Sequence, residues 1–255
     1  MRTMDRTKFV SLCDDVPGPA GHEYAMAQYP ARKQDGYYRD SRECLLPFIC
    51  DGPNRILDAG CGEGRMGAAL KAAGKAGEVI GIERCEPIAE IARRHVDRVI
   101  CDDLESVELP FAPGYFDYII FGDVLEHLVN PWGVVESLTR HLRQGGHIIA
   151  SVPNVRHWRV VLPLVLRGRW RYGPDGVLDD THLRFFTRKS IVQLFASNDL
   201  VMDRIVPEFR FMPKSKSNRF NRVTCALFEE FLAMRYIVDV IKEKDASATH
   251  QRLTT

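Results

Sequence analysis

Short apolar segments alternate with helical patterns from residue 55 to residue 152, and this rhythm constrains the chain more than any single motif. ILDA (56–59), EVIGIE (78–83), RVIC (98–101), FDYIIFGD (116–123) and HIIASV (147–152) have the length and composition of strands. Between them, Met66 to Ala73 and PIAEIARRH (87–95) have helical spacing. Asn130 and Pro131 supply an N-cap and first turn for a helix carrying Val134, Val135, Leu138 and Leu142, with Gly145 and Gly146 as its stop. Strands that alternate with helices predict an α/β fold, a doubly wound parallel sheet covered on both faces. Ahead of this region Asp40 and Glu43 have capping-box spacing for a short helix. Beyond it a helix is expected after Thr187, then strand-like LVMDRIV (200–206), a helix around 222–233 and a last strand YIVDVIK (236–242).

Bulk properties narrow the function. The 255 residues are 45% hydrophobic and 27% charged with a formal net charge of +1, which gives no global footprint for nucleic acid. No apolar run approaches a membrane span, and the N-terminus lacks a signal-peptide core, so a cytoplasmic protein is expected. The seven cysteines form no C-x-x-C pair, which favours free thiols over disulfides or zinc. Three regions are expected: an irregular segment over 1–36, a catalytic domain over 37–243 and a polar, disordered tail over 244–255.

The turn after the first strand reads Asp58-Ala-Gly60-Cys61-Gly62-Glu-Gly64. A dinucleotide loop would carry a third glycine where Arg65 stands, and a P-loop would carry a lysine that is absent. The pattern, with Glu83 ending the second strand, resembles motif I of class I S-adenosylmethionine-dependent methyltransferases. That resemblance implies a Rossmann-like fold, a seven-stranded, mostly parallel sheet with an antiparallel last strand, and S-adenosyl-L-methionine as cofactor. It places the cofactor on Asp58, Gly60, Cys61, Gly62 and Gly64, with Glu83 on the ribose hydroxyls. Asp102, Asp103 and Leu104 would meet the adenine, with the assignment between the two aspartates open by one residue. Gly122 and Asp123 close the cofactor side. DVLEHLVNPW (123–132), SVPNVRHW (151–158), GRWRYGPDGVLDDTHLRFFT (168–187) and the YYRDSRECL segment resemble a bacterial subgroup associated with polysaccharide and glycan biosynthesis. In that subgroup a basic residue is expected at the position of Asp180.

A sugar, nucleotide-sugar or related small-molecule hydroxyl is the acceptor this resemblance implies; an N- or C-acceptor, or a non-catalytic cofactor-binding subunit, stays open. The N/D-P-P-Y tetrapeptide of nucleobase and glutamine methyltransferases is absent after the fourth strand. A hydroxyl acceptor needs a base, and His127 and His182 are the candidates; each could instead be a packed structural residue. His182 has aspartate neighbours to orient it. His157 sits in a loop and is expected near the surface. Residues 155–187 interleave arginines with aromatics and show no clear period, which suggests a lid after strand 5. Tyr37, Tyr38, His157, Trp158, Trp170, Tyr172 and Arg184 are candidate acceptor contacts. Stacked aromatics with arginines would also suit single-stranded nucleic acid, the lesser reading. No metal site is expected, and a homodimer is left open.

Overall fold

The computed structural model describes residues 42–196, 199–211, 216–224 and 226–243. Tyr37, Tyr38, Asp40, the 1–36 segment and the 244–255 tail lie outside the described residues.

Seven strands form one sheet: β1 (Arg55–Ala59), β2 (Glu78–Ile82), β3 (Arg98–Ile100), β4 (Phe116–Gly122), β5 (Leu142–Pro153), β6 (Leu200–Pro207) and β7 (Arg235–Lys242). Their order is β3-β2-β1-β4-β5-β7-β6. β1 to β5 pair in parallel, while β7 runs antiparallel to both β5 and β6. Adjacent residues on the central strands serve opposite faces. Leu57, Ala59, Ile119 and Phe121 enter one apolar cluster, and Ile56, Tyr118 and Ile120 enter the other. Burial on both faces explains why these strands read as continuous apolar runs.

Helices α1 (Arg65–Ala72), α2 (Glu86–Ala92) and α3 (Pro131–Thr139) follow β1, β2 and β4. Asn130 caps α3 as its sequence predicts, the side chain accepting from the Gly133 amide. The helix ends at Thr139, however, so Leu142 belongs to β5. Gly145 and Gly146 are not its stop; they lie inside β5, where the pairing with β4 shifts between Phe116 and Tyr118. The expected capped helix before β1 is a 3-10 turn, Glu43–Phe48, entered through Arg42 at φ 48 without a side-chain cap.

After β5 comes α4 (Trp158–Arg167), within a segment whose sequence shows no clear period. Pro163 sits inside it with apolar residues on both sides, which obscures the helical spacing of Trp158, Leu162, Val165 and Leu166. α5 (Arg188–Leu194) starts at a Thr187–Ser190 capping box. The single helix expected over 222–233 is two short ones, α6 (Lys216–Val223) and α7 (Glu229–Leu232). Asn154, at the end of β5, is fully buried and donates from its side chain to the Glu230 and Ala233 carbonyls at 2.7 and 2.9 Å. It thereby ties the C-terminal edge of the sheet to α7. Asn154→Ala leaves two carbonyls without donors and should cost about 1–3 kcal/mol, measurable by denaturant unfolding.

Candidate functional site

The strand order reverses between β1 and β4, where doubly wound sheets open a crevice at their C-terminal ends. The glycine loop leaves β1 at this point. Gly60, Gly62 and Gly64 all take positive φ, at 80, 53 and 77°. A Cβ on Gly60 would stand 2.6 Å from Val124 Cγ2, so Val124, two residues past β4, packs directly on bare loop backbone. The Gly60 and Cys61 amides both donate to the Ile82 carbonyl at 2.9 Å, anchoring the loop to the end of β2. The Cys61 thiol also donates to the Gly62 carbonyl at 3.7 Å. It turns inward, where a Cβ on Gly81 would come within 2.5 Å of the sulfur. Burial, then the neighbouring Asp58 and Glu83 carboxylates, raise the thiol's pKa far above its usual value, so it is an inert packing group.

Two carboxylates face this loop. Glu83 accepts from the Gly62 amide at 3.1 Å and from the Cys85 amide at 2.8 Å, which fixes its head group while leaving further lone-pair directions. Burial raises its pKa and these amides oppose the rise. Asp58 is 3% exposed, and its Oδ2 has no hydrogen-bond partner. Burial pushes its pKa up to about 7, against the pull of Arg42 and with a further push from Glu83. A buried, half-satisfied carboxylate beneath a glycine turn fits a cationic amino-acid ligand such as S-adenosylmethionine. At the end of β3, Asp102 is exposed and accepts from the Asp103 amide at 2.7 Å, the amide expected to reach the adenine. The Asp103 carboxylate pairs with Arg84 at 3.3 Å, and Leu104 packs on the main apolar cluster.

At the end of β4, Gly122 lies against the Arg42 side chain, and Asp123 takes φ 53. The Asp123 carboxylate is held by Arg42 Nε at 3.1 Å and Arg235 Nη1 at 2.7 Å, and it accepts from the Ser151 hydroxyl. It therefore pins the ends of β4, β5 and β7 together. The following 3-10 turn, Leu125–His127, brings Glu126, His127 and His182 into one cluster whose candidate ligand atoms lie within 4.8 Å of one another. Two imidazoles and a carboxylate at this spacing can share a proton and are also a candidate set of metal ligands.

Glu126 is 1% exposed with neither carboxyl oxygen hydrogen-bonded. Burial and then the Asp123 charge push its pKa well above the carboxylate range. Its carbonyl accepts from the Leu183 and Arg184 amides at 2.8 and 3.0 Å, which docks the 179–186 segment on the turn. Asp179 accepts from the Thr181 hydroxyl at 2.6 Å and amide at 2.9 Å, and its carbonyl accepts from the His182 amide at 3.1 Å. The Thr181 carbonyl and hydroxyl oxygens each lie 3.2 Å from His127 Nδ1. His182 is buried, with Nδ1 3.0 Å from the Val177 carbonyl and Nε2 3.9 Å from Glu126 Oε1. The two imidazoles meet edge to face at 4.7 Å.

Several acceptor-side expectations change. His157 is not at the surface but 4% exposed, preceding α4, and burial and then Arg159 lower its pKa to about 4, keeping it neutral. Trp158 projects from α4 to solvent. The Arg184 guanidinium donates to the Val129 carbonyl at 3.0 Å and lies over the Trp132 ring at 5.7 Å. Arg156 pairs with Glu230 and covers Phe231, so it anchors α7. Trp170 and Tyr172 do converge: Phe185 lies 5.2 Å from Trp170, 6.2 Å from Tyr172 and 6.4 Å from His182, centroid to centroid. Glu126, Arg42 and Arg235 are absent from the sequence-based candidates. Glu126 stands beside His127 in DVLEHL and was legible there; the two arginines carry no local signal.

Known proteins bear on this geometry. The methyltransferase-domain family matches residues 31–205. The bifunctional methionine biosynthesis protein MetXA/MetW of Rhodopirellula baltica is 30% identical over 190 residues, covering 70% of this chain and 30% of that protein. The ubiquinone biosynthesis O-methyltransferase of Thiobacillus denitrificans is 33% identical over 105 residues, covering 39% of this chain and 44% of that one. The demethylmenaquinone methyltransferase of Clavibacter sepedonicus is 34% identical over 120 residues, 45% of either chain. This chain thus spans less than half the length of each of these relatives. Among solved structures, an S-adenosylmethionine-dependent methyltransferase from Archaeoglobus fulgidus superposes with a TM-score of 0.57 at 14% identity, covering 86% of this chain and 99% of that one. At that identity the likeness is one of fold.

Two outcomes test the cofactor carboxylates. Glu83→Ala should weaken S-adenosylmethionine binding by about 1.5–3 kcal/mol in calorimetry, the value of hydrogen bonds to a charged group. The raised Asp58 pKa has a definite sign: its stabilising contribution is full below 3.8 and is lost as pH rises through about 7. Asp58→Asn should therefore raise the melting temperature of the ligand-free protein at pH 8 by at least about 3 °C, leave it unchanged near pH 4, and weaken cofactor binding.

Proposed function

The chain belongs to the methyltransferase-domain family, and we propose that within it this S-adenosylmethionine-dependent enzyme methylates a ring-borne hydroxyl with His127 as the base. The observation that carries this reading is the chain of contacts Asp179–Thr181–His127. S-adenosylmethionine, when bound, supplies a methyl group activated on a sulfonium. The protein has to align an acceptor oxygen, exclude water and remove one proton. Donation from Nδ1 to the Thr181 carbonyl leaves Nε2 as the basic nitrogen of His127, and Asp179 holds Thr181 in place. His127 is half-buried, whereas His182 is buried between the Val177 carbonyl and Glu126. That difference supports proton transfer at the first ring and positioning by the second.

The Trp170–Tyr172–Phe185 group supports an acceptor with a flat or pyranose ring, because stacking surface is what it supplies. Within that class a sugar, nucleotide-sugar or related glycan hydroxyl is favoured by the resemblance of residues 123–187 to the glycan-linked subgroup. The likeness to a ubiquinone O-methyltransferase supports oxygen as the acceptor atom without choosing among ring types.

His127→Asn should lower kcat by about 10²–10⁴-fold while leaving S-adenosylmethionine affinity within a factor of about two. Wild-type kcat should rise with pH through one ionisation that the variant lacks. Full turnover in His127→Asn would overturn the base assignment and leave an unprotonated amine or a carbanion-like carbon as the acceptor. Methyl-labelled cofactor incubated with fractionated lysate identifies that acceptor directly.

A further inference from the structure

Helix α4 breaks the usual rule for a surface helix. Of its ten residues only Val160 is buried, while Trp158, Leu162, Leu164, Val165 and Leu166 are exposed, the last two at 72% and 74%. Trp158, Leu162, Val165 and Leu166 stand at i, i+4, i+7 and i+8, so they share one stripe that the sheet does not cover. Isolated exposed apolar residues need no explanation, but three turns of contiguous ones do. A second exposed apolar group lies beyond β6: Phe220, Val223, Leu227 and Phe228, with Val223 and Leu227 both at 77%. The ion pair of Arg156 with Glu230 joins the segments that bear the two groups.

Charge decides what fits the stripe. From Val155 to Pro174 there is no acidic residue, and Arg159, Arg167, Arg169 and Arg171 are all exposed. A two-fold contact between copies of this chain would set each arginine group against its own image, a repulsion with no acidic partner in the stripe to relieve it. A partner surface that is apolar inside and anionic outside matches both features. The ends of the segment also carry Trp158, Trp170 and Tyr172, residue types that settle at the boundary between hydrocarbon and head groups. With 10 residues α4 is too short to span a bilayer, and no described helix is long and apolar enough to do so.

We propose that α4 docks on an anionic lipid surface, its Trp158–Leu162–Val165–Leu166 stripe entering the head-group boundary and its arginines meeting the lipid phosphates. This goes beyond the acceptor chemistry proposed above and stands without it. Docking would set the Trp170–Tyr172–Phe185 group beside the membrane, where an acceptor carried on a lipid anchor would arrive.

The test is co-sedimentation of the purified chain with phosphatidylcholine vesicles, with and without phosphatidylglycerol. The protein should partition onto the anionic vesicles, and added salt should weaken that partition. Val165→Asp/Leu166→Asp should reduce it by about tenfold or more with S-adenosylmethionine affinity unchanged, since neither side chain touches the cofactor loop. Arg167→Ala/Arg169→Ala, which spares the apolar stripe, should reduce it and flatten its salt dependence. Absence of wild-type partition overturns the proposal, as does partition that neither double variant changes. A concentration-dependent dimer that Val165→Asp/Leu166→Asp dissociates, without vesicle binding, assigns the stripe to a second copy and equally overturns it. Vesicle binding needs no acceptor, so its failure is distinct from failure of the O-methylation reading.

Discussion

The Asp123 carboxylate is the charge on which the ends of β4, β5 and β7 meet. It sits at the end of β4 in a left-handed backbone conformation and is clamped by Arg42 before β1 and Arg235 at the start of β7. A non-glycine residue pays conformational energy for that φ, and it persists where surroundings over-determine it. Here they do: two guanidinium groups and the Ser151 hydroxyl fix the side chain, and the Asp123 amide donates to the Ser151 carbonyl at 3.2 Å. Releasing the clamp would leave a carboxylate and an arginine largely removed from water with no counter-charge, which is costlier than never having had them. The turn that carries Glu126 and His127 therefore begins from a fixed point.

The same charges tune their neighbours. Asp123 raises the Glu126 pKa, while Arg235 and Arg42 oppose the rise, and Arg42 also lowers that of Asp58. Burial nevertheless wins at both carboxyl groups. Each then holds a proton more tightly than a solvated acid, on opposite sides of the β1–β4 crevice. Neither group is explained by packing, because each keeps at least one buried oxygen without a hydrogen bond. Such groups lower the stability of the empty protein, and a fold retains that cost where a ligand or a proton relieves it.

How much of this was legible in sequence follows from how far apart the cooperating residues lie. The seven strands are readable as apolar runs, whereas the antiparallel course of the last one comes from the family resemblance; the two carboxylates expected at the cofactor lie within one βαβ unit, Asp58 to Glu83. Local chemistry decides such features: glycines where φ is positive, an acid at a strand end. The cluster beyond β4 draws on Arg42, Asp123, Glu126, Asp179, Thr181 and Arg235, with nearly 200 residues between the first and last. Asp179, near His182 in sequence, also reaches His127 through Thr181, because the 179–186 segment turns back onto the Glu126 carbonyl. The contacts of Arg184 with the Val129 carbonyl and the Trp132 ring carry no local signal in its own stretch.

Helix α4 was the least legible element, and its illegibility has a physical meaning. Sequence periodicity detects a helix through the contrast between a covered and a wetted face. In α4 the contrast is inverted, because only Val160 is buried while the apolar stripe faces solvent, and Pro163 with its apolar neighbours obscures the pattern as well. Composition alone therefore resembles a lid with arginines and aromatics in no order. The order appears only once the helix is built: one stripe of Trp158, Leu162, Val165 and Leu166, with arginines at its borders. A surface helix gains no stability from such a stripe in water, so its amphipathicity is set by an environment other than the protein's own core. The spacing that Pro163 and its apolar neighbours obscure in the sequence is the uncovered face of the structure.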